Sequence, residues 1–593
     1  MSKVAIVSTP DDGSCGIGTY TGDLIDGFPP EVEEFRHTLR VGAWNPIHFI
    51  YIALSAGFTD GDVIHVQHEY GLFGPVSYAS LLFFPILGLL SQIRGLPVIV
   101  TFHSAWNGNT VDSPPIRVKQ LYIHLVNRVT VLAADHCVFL SKNCMREFAQ
   151  SISINELSIY THGVNQPEYN TSKQKAKEQF GYTNDDLVVT LPGYVRPEKG
   201  TDTFVEIADH FNDVEFLVAG GARLDGLSDY LKQIERDAPT NVQITGVLNE
   251  REFHHAFIAS DAVLLPYIEM TQSGIFNWCA TYSVPVLASD HAYFEQLADE
   301  WGCVETAPAD DLEQIESQLR ILLEDDEKRA QISDAISTYA DINSFEYVAE
   351  CHIGLYNWVL EEKAPDRNRI YRFVRSVYDW TIRQRLPRKI ASLNGVPARQ
   401  ARLLDSTDTI PEYEDPNVQA LSEHIHEGDD ILIIGGGWGV TSAVAARKAG
   451  NQGGVTTFEA SREYAEYVRE TVSLSRVSDR VTVVEKAVGE GIFFYGESDT
   501  SVHSPAKLPD CDIVEIDAEG AEVDIISKLS ISPETIIVET HACYAAPTPQ
   551  VKLLLHQKGY KIVSQHSELP ERGVNVLVAK AQPVDEPSEV TAY

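Results

Sequence analysis

Short apolar, β-branched runs alternate along most of this chain with longer amphipathic stretches, and the alternation starts over twice. In the first segment KVAIVST, DVIHVQ, PVIVTFH and DHCVFLS read as strands, while PIRVKQLYIHLVNRVTVLAA between them has helical spacing. Such alternation predicts parallel sheets with helices on their faces. The pattern restarts near Asp186 with LVVTLPGY, EFLVAGG, VQITG, AVLLPY and VPVLAS. It restarts again near Asp429 with DDILIIGGGWGV, GVTTFEAS, RVTVVEKAVG, CDIVEIDAEGAE and ETIIVETH. The fold class is therefore α/β with three Rossmann-like units, which suits 593 residues at ~100–200 per domain. The predicted boundaries are 1–170, then 180–360 with a helical tail, an Arg-rich helical linker over 361–414, and 415–582. A polar stretch, 583–593, is expected to be disordered.

Charge narrows the partners. Asp and Glu total 85 against 46 Lys and Arg, a net charge of −39 spread along the whole chain. Such a surface repels phosphate backbones and argues against nucleic-acid binding. An excess this large and even reads as adaptation to high salt, where self-repulsion is screened. The 8 cysteines include no C-x-x-C pair, so neither a metal nor a redox framework is expected, and a reducing cytoplasm fits. No signal peptide is visible. The longest uncharged stretch, Gly71 to Ile93, is interrupted by Pro75, Pro85 and Gly88, and its core LLFFPILGLL falls short of the ~20 residues that span a bilayer.

Ligands of such sheets bind at the carboxyl ends of strands. The loop after the first strand, DDGSCGIGTYTGDL, carries Gly13, Gly16 and Gly18, which let backbone amides approach a phosphate. In the second unit GYVRPEKG sets Arg196 and Lys199 after a strand, suited to a diphosphate. PYIEMTQSGIFNWCA then puts Glu269 beyond a strand and Ser273–Gly274 at a helix start, where amides face an anion. The ordered set GIGTYT, HVQHEYGLFG, TFHS, HGV, GYVRPEKG, VAGG, ITG and ASDAVLLPY resembles the family 4 glycosyltransferases of the GT-B fold over nearly all of residues 1–360. The resemblance implies a GT-B pair of Rossmann-like domains and retaining transfer from a UDP- or GDP-sugar. It implies that Arg196 and Lys199 hold the diphosphate, Glu269 the donor hexose, and Ser273 and Gly274 the phosphate. It also sets His103 near the transferred sugar and Gly18 in the first-domain loop. The sequence departs from the family at Tyr194, where an arginine is usual, and at Asn277, where a second glutamate is usual; asparagine still hydrogen-bonds a ribose hydroxyl without charge.

In the third unit GGGWG, from Gly435 to Gly439, follows the strand ILII, and Glu459 ends the next strand. A glycine turn with an acid about twenty residues on suits a ribose diol, so a nicotinamide dehydrogenase is a rival reading. Against it stand the packed glycines, IDAEGAE after the fourth strand, and a closing pair, YKIVSQ and VNVLVAK. This set resembles the FkbM family of S-adenosylmethionine-dependent O-methyltransferases over about 415–582. The resemblance implies that Gly435, Gly437, Gly439 and Glu459 bind S-adenosyl-L-methionine, and that Asp517 and Glu519 floor the pocket. His541 is a candidate base. Ile433 stands where the family has an acid.

The stretch 364–402 is rich in arginine, among them Arg367, Arg369, Arg372, Arg375, Arg383, Arg385 and Arg388. Two readings follow: a linker whose arginines pair with the acidic enzyme surfaces, or peripheral attachment to the cytoplasmic membrane face, where a lipid-linked sugar acceptor would lie. The whole reads as a bifunctional enzyme of glycan biosynthesis acting on a glycan or lipid-linked sugar. The alternatives are one catalytic half beside a binding module, or a membrane-associated scaffold.

Overall fold

The computed structural model describes residues 3–13, 15–108, 114–154, 156–222, 228–270, 273–363, 378, 381–405, 408–489 and 501–582. The first sheet comprises β1 (Lys3–Ser8), β2 (Glu33–Thr38), β3 (Val63–His68), β4 (Val98–Phe102), β5 (His136–Phe139) and β6 (Leu157–Ile159). All pairs are parallel, in the order β2-β1-β3-β4-β5-β6. The inner strands β3 and β4 are buried along their whole length, as parallel strands covered on both faces are. Phe49, Phe73, Phe83, Phe84, Phe102 and Phe148 fill that core.

The second sheet comprises β7 (Leu187–Pro192), β8 (Val214–Ala219), β9 (Val242–Ile244), β10 (Ala262–Leu265), β11 (Val286–Ser289) and β12 (Glu305–Ala307), ordered β12-β11-β10-β7-β8-β9 and parallel throughout. Its helices are locally specified. Asn249 and Glu252 form a capping box at the helix Glu250–Ala259, and Asp311 and Asp325 cap the two helices that follow β12.

Next come β13 (Ala391–Leu393), β14 (Val396–Ala398) and β15 (Thr409–Ile410), joined as a small sheet. The third large sheet has β16 (Asp430–Ile434), β17 (Gly454–Glu459) and β18 (Val481–Glu485), with β19 (Ala487–Val488) and β20 (Val502–His503) as a separate pair. It continues with β21 (Ile513–Ile516), β22 (Thr535–His541), β23 (Tyr560–Leu569) and β24 (Val574–Ala581). Its order is β18-β17-β16-β21-β22-β24-β23, with β24 antiparallel to both neighbours.

By their contacts, residues 1–19, 29–160 and 350–593 form one compact unit, and 20–28 with 161–349 form another. Two predicted boundaries are corrected. The helical tail assigned to 180–360 divides, and from Glu350 onward it packs on the first sheet. Tyr356 lies 2.7 Å from Nδ1 of buried His65, and the His352 ring stacks on His65, so this helix satisfies a polar group the first sheet buries. The helical linker predicted for 361–414 is, over 391–410, the small sheet, and Leu393, Val396 and Ala398 enter the third core. Alternation in ASLNGVPA around an Asn-Gly turn is a hairpin signal, which the arginine count masked. Arg367, Arg369, Arg372 and Arg375 lie outside the described residues. Arg383 forms a two-pronged pair with Asp405, and Arg388 binds Glu470 at 2.8 Å while lying over the Tyr467 ring. These described arginines therefore pair with acids of the chain itself. No helix among the described residues is long and apolar enough to cross a membrane.

Candidate active sites

In the second sheet the strand order reverses between β7 and β10, and a crevice at such a switch point is where ligands of open α/β sheets bind. The loops after these two strands carry most of the predicted donor residues. They are locked together: the N–H of Ile268 donates to the carbonyl of Glu198, and Gly200, at φ +63°, would put a Cβ 1.9 Å from the carbonyl oxygen of Pro266. No side chain fits at Gly200. Lys199 sits over the Tyr267 ring at 3.6 Å, and burial, with Arg196 adding to it and Glu198 opposing, lowers its pKa to about 8. Arg196 has a buried Nε without a partner. Ser273 caps the helix Gly274–Thr281 through the Phe276 amide, and the space beside Gly274 is open. Asn277, on that helix, meets Nδ1 of His162 at 2.6 Å, and its Oδ1 is buried and unpartnered. Glu269 is exposed on the loop after β10.

The other two predicted residues of the glycosyltransferase resemblance belong to the first sheet. Gly18 lies in the helix Gly16–Asp26 after β1, where a Cβ would stand 2.0 Å from the carbonyl oxygen of Pro10. This turn is at the β1/β3 switch point of that sheet. His103 follows β4 and is buried, with Nε2 2.8 Å from Gln67 Oε1.

The third sheet switches between β16 and β21, and the glycine turn lies there. Gly435, at φ +100°, would aim a Cβ at the Asp517 carbonyl oxygen, 1.8 Å away. Gly437, at φ +47°, meets nothing nearer than Glu414 Oε1 at 3.6 Å, so its outer side is open. Gly439 begins the helix Val440–Ala449, close against Val468. Glu459 organises the turn: Oε2 accepts from the N–H groups of Gly436 and Gly437, both at 3.0 Å, and Oε1 accepts from Ser461 at 2.8 Å. Burial raises its pKa, against the pull of those amides.

Beside the turn lies a buried acidic group. Asp517 and Glu519, the latter at φ +42°, follow β21, and Glu539 and His541 end β22. His541 donates from Nδ1 to Glu522 Oε1 at 2.7 Å, and its Nε2 lies 3.4 Å from Glu539 Oε1 and 3.7 Å from Asp517 Oδ1. Burial disfavours the imidazolium, but Glu522 and Glu539 outweigh it and hold the His541 pKa well above the ordinary value. Burial raises Glu414, at the start of the helix Asp415–His424, to about 8, and raises Glu568 to about 7, the charge of Glu539 adding to both. Glu414, Glu515, Glu539, Glu568 and Arg572 were not singled out from sequence. A signal for some of them existed: in EID and ETH titratable residues, two acids in the first and an acid and a histidine in the second, recur at a period of two at the ends of largely apolar strands.

A cavity of about 480 Å³ adjoins this group, lined by Glu539, His541, Glu568 and Arg572 on one side and by His136, Glu156 and Trp358 on the other. The two sides are tied: the N–H of Ile159 in β6 donates to the carbonyl of Cys543 at 2.8 Å. Arg572 is buried, its guanidinium 4.5 Å over Trp358 and its Nη2 donating to the Leu157 carbonyl.

No family model matches the chain. It is 23% identical over 181 residues to the alpha-galactosylglucosyldiacylglycerol synthase of Streptococcus pneumoniae (strain ATCC BAA-255 / R6), covering 29% of this chain and 47% of that protein. The chain thus spans about half the length of the curated relative it matches. Among solved structures it is similar to HepE of Anabaena in complex with UDP, at 16% identity and a TM-score of 0.47, covering 59% of this chain and 97% of that one. It is similar also to the sucrose-phosphate synthase of Thermosynechococcus elongatus, at 13% identity and a TM-score of 0.47, covering 61% and 100%.

Proposed function

We propose that the chain joins two transferases: a retaining GT-B glycosyltransferase over residues 1–360, and an S-adenosylmethionine-dependent O-methyltransferase over 415–582. The observation that carries this is the convergence of the residues expected from each motif set on a strand-order switch point of their own sheet. In the first activity Arg196 and Lys199 neutralise the diphosphate of a UDP- or GDP-sugar, and the amides at Ser273 and Gly274 meet a phosphate oxygen. Two buried groups without partners support this: Arg196 Nε is a donor awaiting an anion, and Asn277 Oδ1 is an acceptor awaiting a hydroxyl such as that of ribose. Glu269 holds the hexose, and Gly18 and His103 serve the first-domain side. The curated relative is named as a synthase of a glycosylated diacylglycerol, which supports a sugar acceptor, with lipid linkage and contact with the cytoplasmic membrane face as the finer proposal.

In the second activity the glycine turn and Glu459 receive S-adenosyl-L-methionine, with Asp517 and Glu519 at the pocket floor. A dehydrogenase of the common dinucleotide-binding type has the strand order 3-2-1-4-5-6. Here β24 is antiparallel and inserted between β22 and β23, which favours the methyltransferase reading. The chemistry asks for alignment of a sugar hydroxyl with the sulfonium methyl and removal of one proton. The adjoining cavity, with four acidic side chains among its walls, is the proposed seat of the acceptor. The acidic surface is proposed to reflect life at high salt.

Transfer of radiolabel from nucleotide sugars and from S-adenosylmethionine, assayed separately on the full chain, tests the proposal. Incorporation from both donors is expected. Incorporation from one alone reduces the other half to a binding module, and from neither removes the reading.

A further inference from the structure

A surface helix is normally polar on its outer face. Three helices of the first sheet reverse this. The helix Pro46–Gly57, with Phe58 just beyond it, exposes Ile47, Tyr51, Leu54 and Phe58 on one stripe. The helix Ser80–Arg94 exposes Leu82, Leu89 and Ile93, and the helix Ile116–Ala133 exposes Leu121, Leu125 and Leu132, again at helical spacing. These are not the core faces of the helices, which bury Phe49, Phe83, Phe84 and Leu87 against the first sheet. The helices lie side by side: a Cβ on Gly57 would stand 2.6 Å from Leu90, and one on Gly88 3.1 Å from Ala133. Their outer stripes therefore make one face. Most of the exposed large apolar side chains among the described residues fall between Val41 and Leu132. Single exposed apolar residues are ordinary, but a contiguous patch marks a binding surface.

Charge gives this patch its partner. The three helices hold no Asp or Glu, in a chain where 85 of 593 residues are acidic. From Tyr70 to Ala134 the sequence has one acid, Asp112, against Arg94, Arg117, Lys119 and Arg128. Arg117 and Arg128 are exposed and share the outer stripe of Leu121, Leu125 and Leu132. A chain of net charge −39 is repelled by an anionic surface, and an acid-free, basic face is where such a surface can approach. A second copy meeting it through the same face would set these cations against each other, with no acid of the helices between them. Trp44, 74% exposed ahead of the first helix, and Tyr51 add the aromatic rings favoured at lipid headgroups.

We propose that the outer face of the helices Pro46–Gly57, Ser80–Arg94 and Ile116–Ala133 docks on an anionic lipid bilayer, lying in its interface without crossing it. The exposed Trp44, Val76 and Ile116, in the stretches after β2, β3 and β4, carry the apolar surface to the carboxyl-end rim of the first sheet, where Gly18 and His103 stand. A sugar at the head of a lipid in that bilayer is thereby brought to the rim. This role rests on the glycosyltransferase reading; the docking itself does not.

The test is flotation of the 593-residue chain, without nucleotide, on vesicles of phosphatidylglycerol and phosphatidylcholine in equal parts, with UDP and GDP calorimetry in parallel. At about 0.1 M KCl, where charge is least screened, the chain is expected to float with these vesicles and less with phosphatidylcholine alone. Tyr51→Glu, Leu89→Glu and Leu121→Glu combined, one on each stripe, should weaken vesicle binding ~10-fold or more. Leu404→Glu with Val563→Glu, exposed apolar residues elsewhere, should leave it unchanged. A native chain that stays at the bottom of the gradient overturns the docking surface. So does a folded triple variant that floats as the native chain does, or an equal loss in the control pair. Equal flotation on phosphatidylcholine alone overturns the anionic partner. A native dimer that the triple variant loses, with no flotation, gives the face to a second copy instead and overturns the proposal. Binding of UDP or GDP without flotation removes the docking surface alone. Flotation that the triple variant loses, without nucleotide binding, keeps the surface and removes the glycosyltransferase reading.

Discussion

Lys199 carries its charge only while protonated, and its lowered pKa of about 8 brings that transition near neutrality. The cation is present below that pH and lost as pH rises through it, so donor affinity should fall on the alkaline side. A bound diphosphate favours the ammonium and moves the loss somewhat higher. Nucleotide titrations at neutral and alkaline pH should differ ~10–100-fold, the worth of a charge-assisted contact; equal affinities would take Lys199 off the phosphate. Glu269→Ala should slow glycosyl transfer by at least ~10²-fold with melting unchanged, since an exposed loop acid adds little to the core. Unchanged turnover would take Glu269 out of the site. In the third unit, Gly437→Val should abolish S-adenosylhomocysteine binding. The residue stands at φ +47°, and its open side is where the ligand is expected, so a β-branched side chain brings both strain and obstruction. Calorimetry giving native affinity would refute that placement.

At the scale of elements, Glu459 has a part in the fold beside the cofactor contact proposed for it. Its carboxylate closes the glycine turn by accepting from Gly436, Gly437 and Ser461. Glu459→Ala should therefore cost roughly 1.5–3 kcal/mol in S-adenosylhomocysteine binding by loosening the turn, and native affinity in calorimetry would contradict this. The long alternations of strand and helix were legible because buried parallel strands leave apolar, β-branched runs, as in VAIV of β1 and VIVTF of β4. The glycine turns were legible because close approach excludes side chains, as at Gly435 and Gly18. The hairpin at 391–398 was not, because its strands are 3 residues each and lie beside an Arg-rich stretch. The return of Tyr356 to His65 was equally hidden, since a pairing 291 residues apart leaves no local pattern. The acidic cluster was half legible: Asp517 and Glu519 stood out in IDAEGAE, while Glu539 and Glu515 gained meaning only when register set β21 beside β22.

For the molecule as a whole, the first and third sheets share one compact unit, with Ala545 in the first core and Arg572 between Trp358 and Tyr544. Arg572→Ala should destabilise the chain by about 1.5–3 kcal/mol, because it removes a buried charged donor from the Leu157 carbonyl, and calorimetric melting would register it. An unchanged melting temperature would deny the arginine that role. The net charge of −39 gives a second expectation. Raising KCl from about 0.1 M to about 1 M shortens the screening length from ~10 to ~3 Å, so melting should rise as self-repulsion fades; a fall would contradict adaptation to salt. The central claim, two donor sites in one chain, is tested most directly by calorimetric titration of this 593-residue chain with UDP, GDP and S-adenosylhomocysteine. One site per chain for UDP or GDP and one for S-adenosylhomocysteine is expected, each filling independently of the other. Heat from NAD in place of S-adenosylhomocysteine, or from no nucleotide at all, would contradict it.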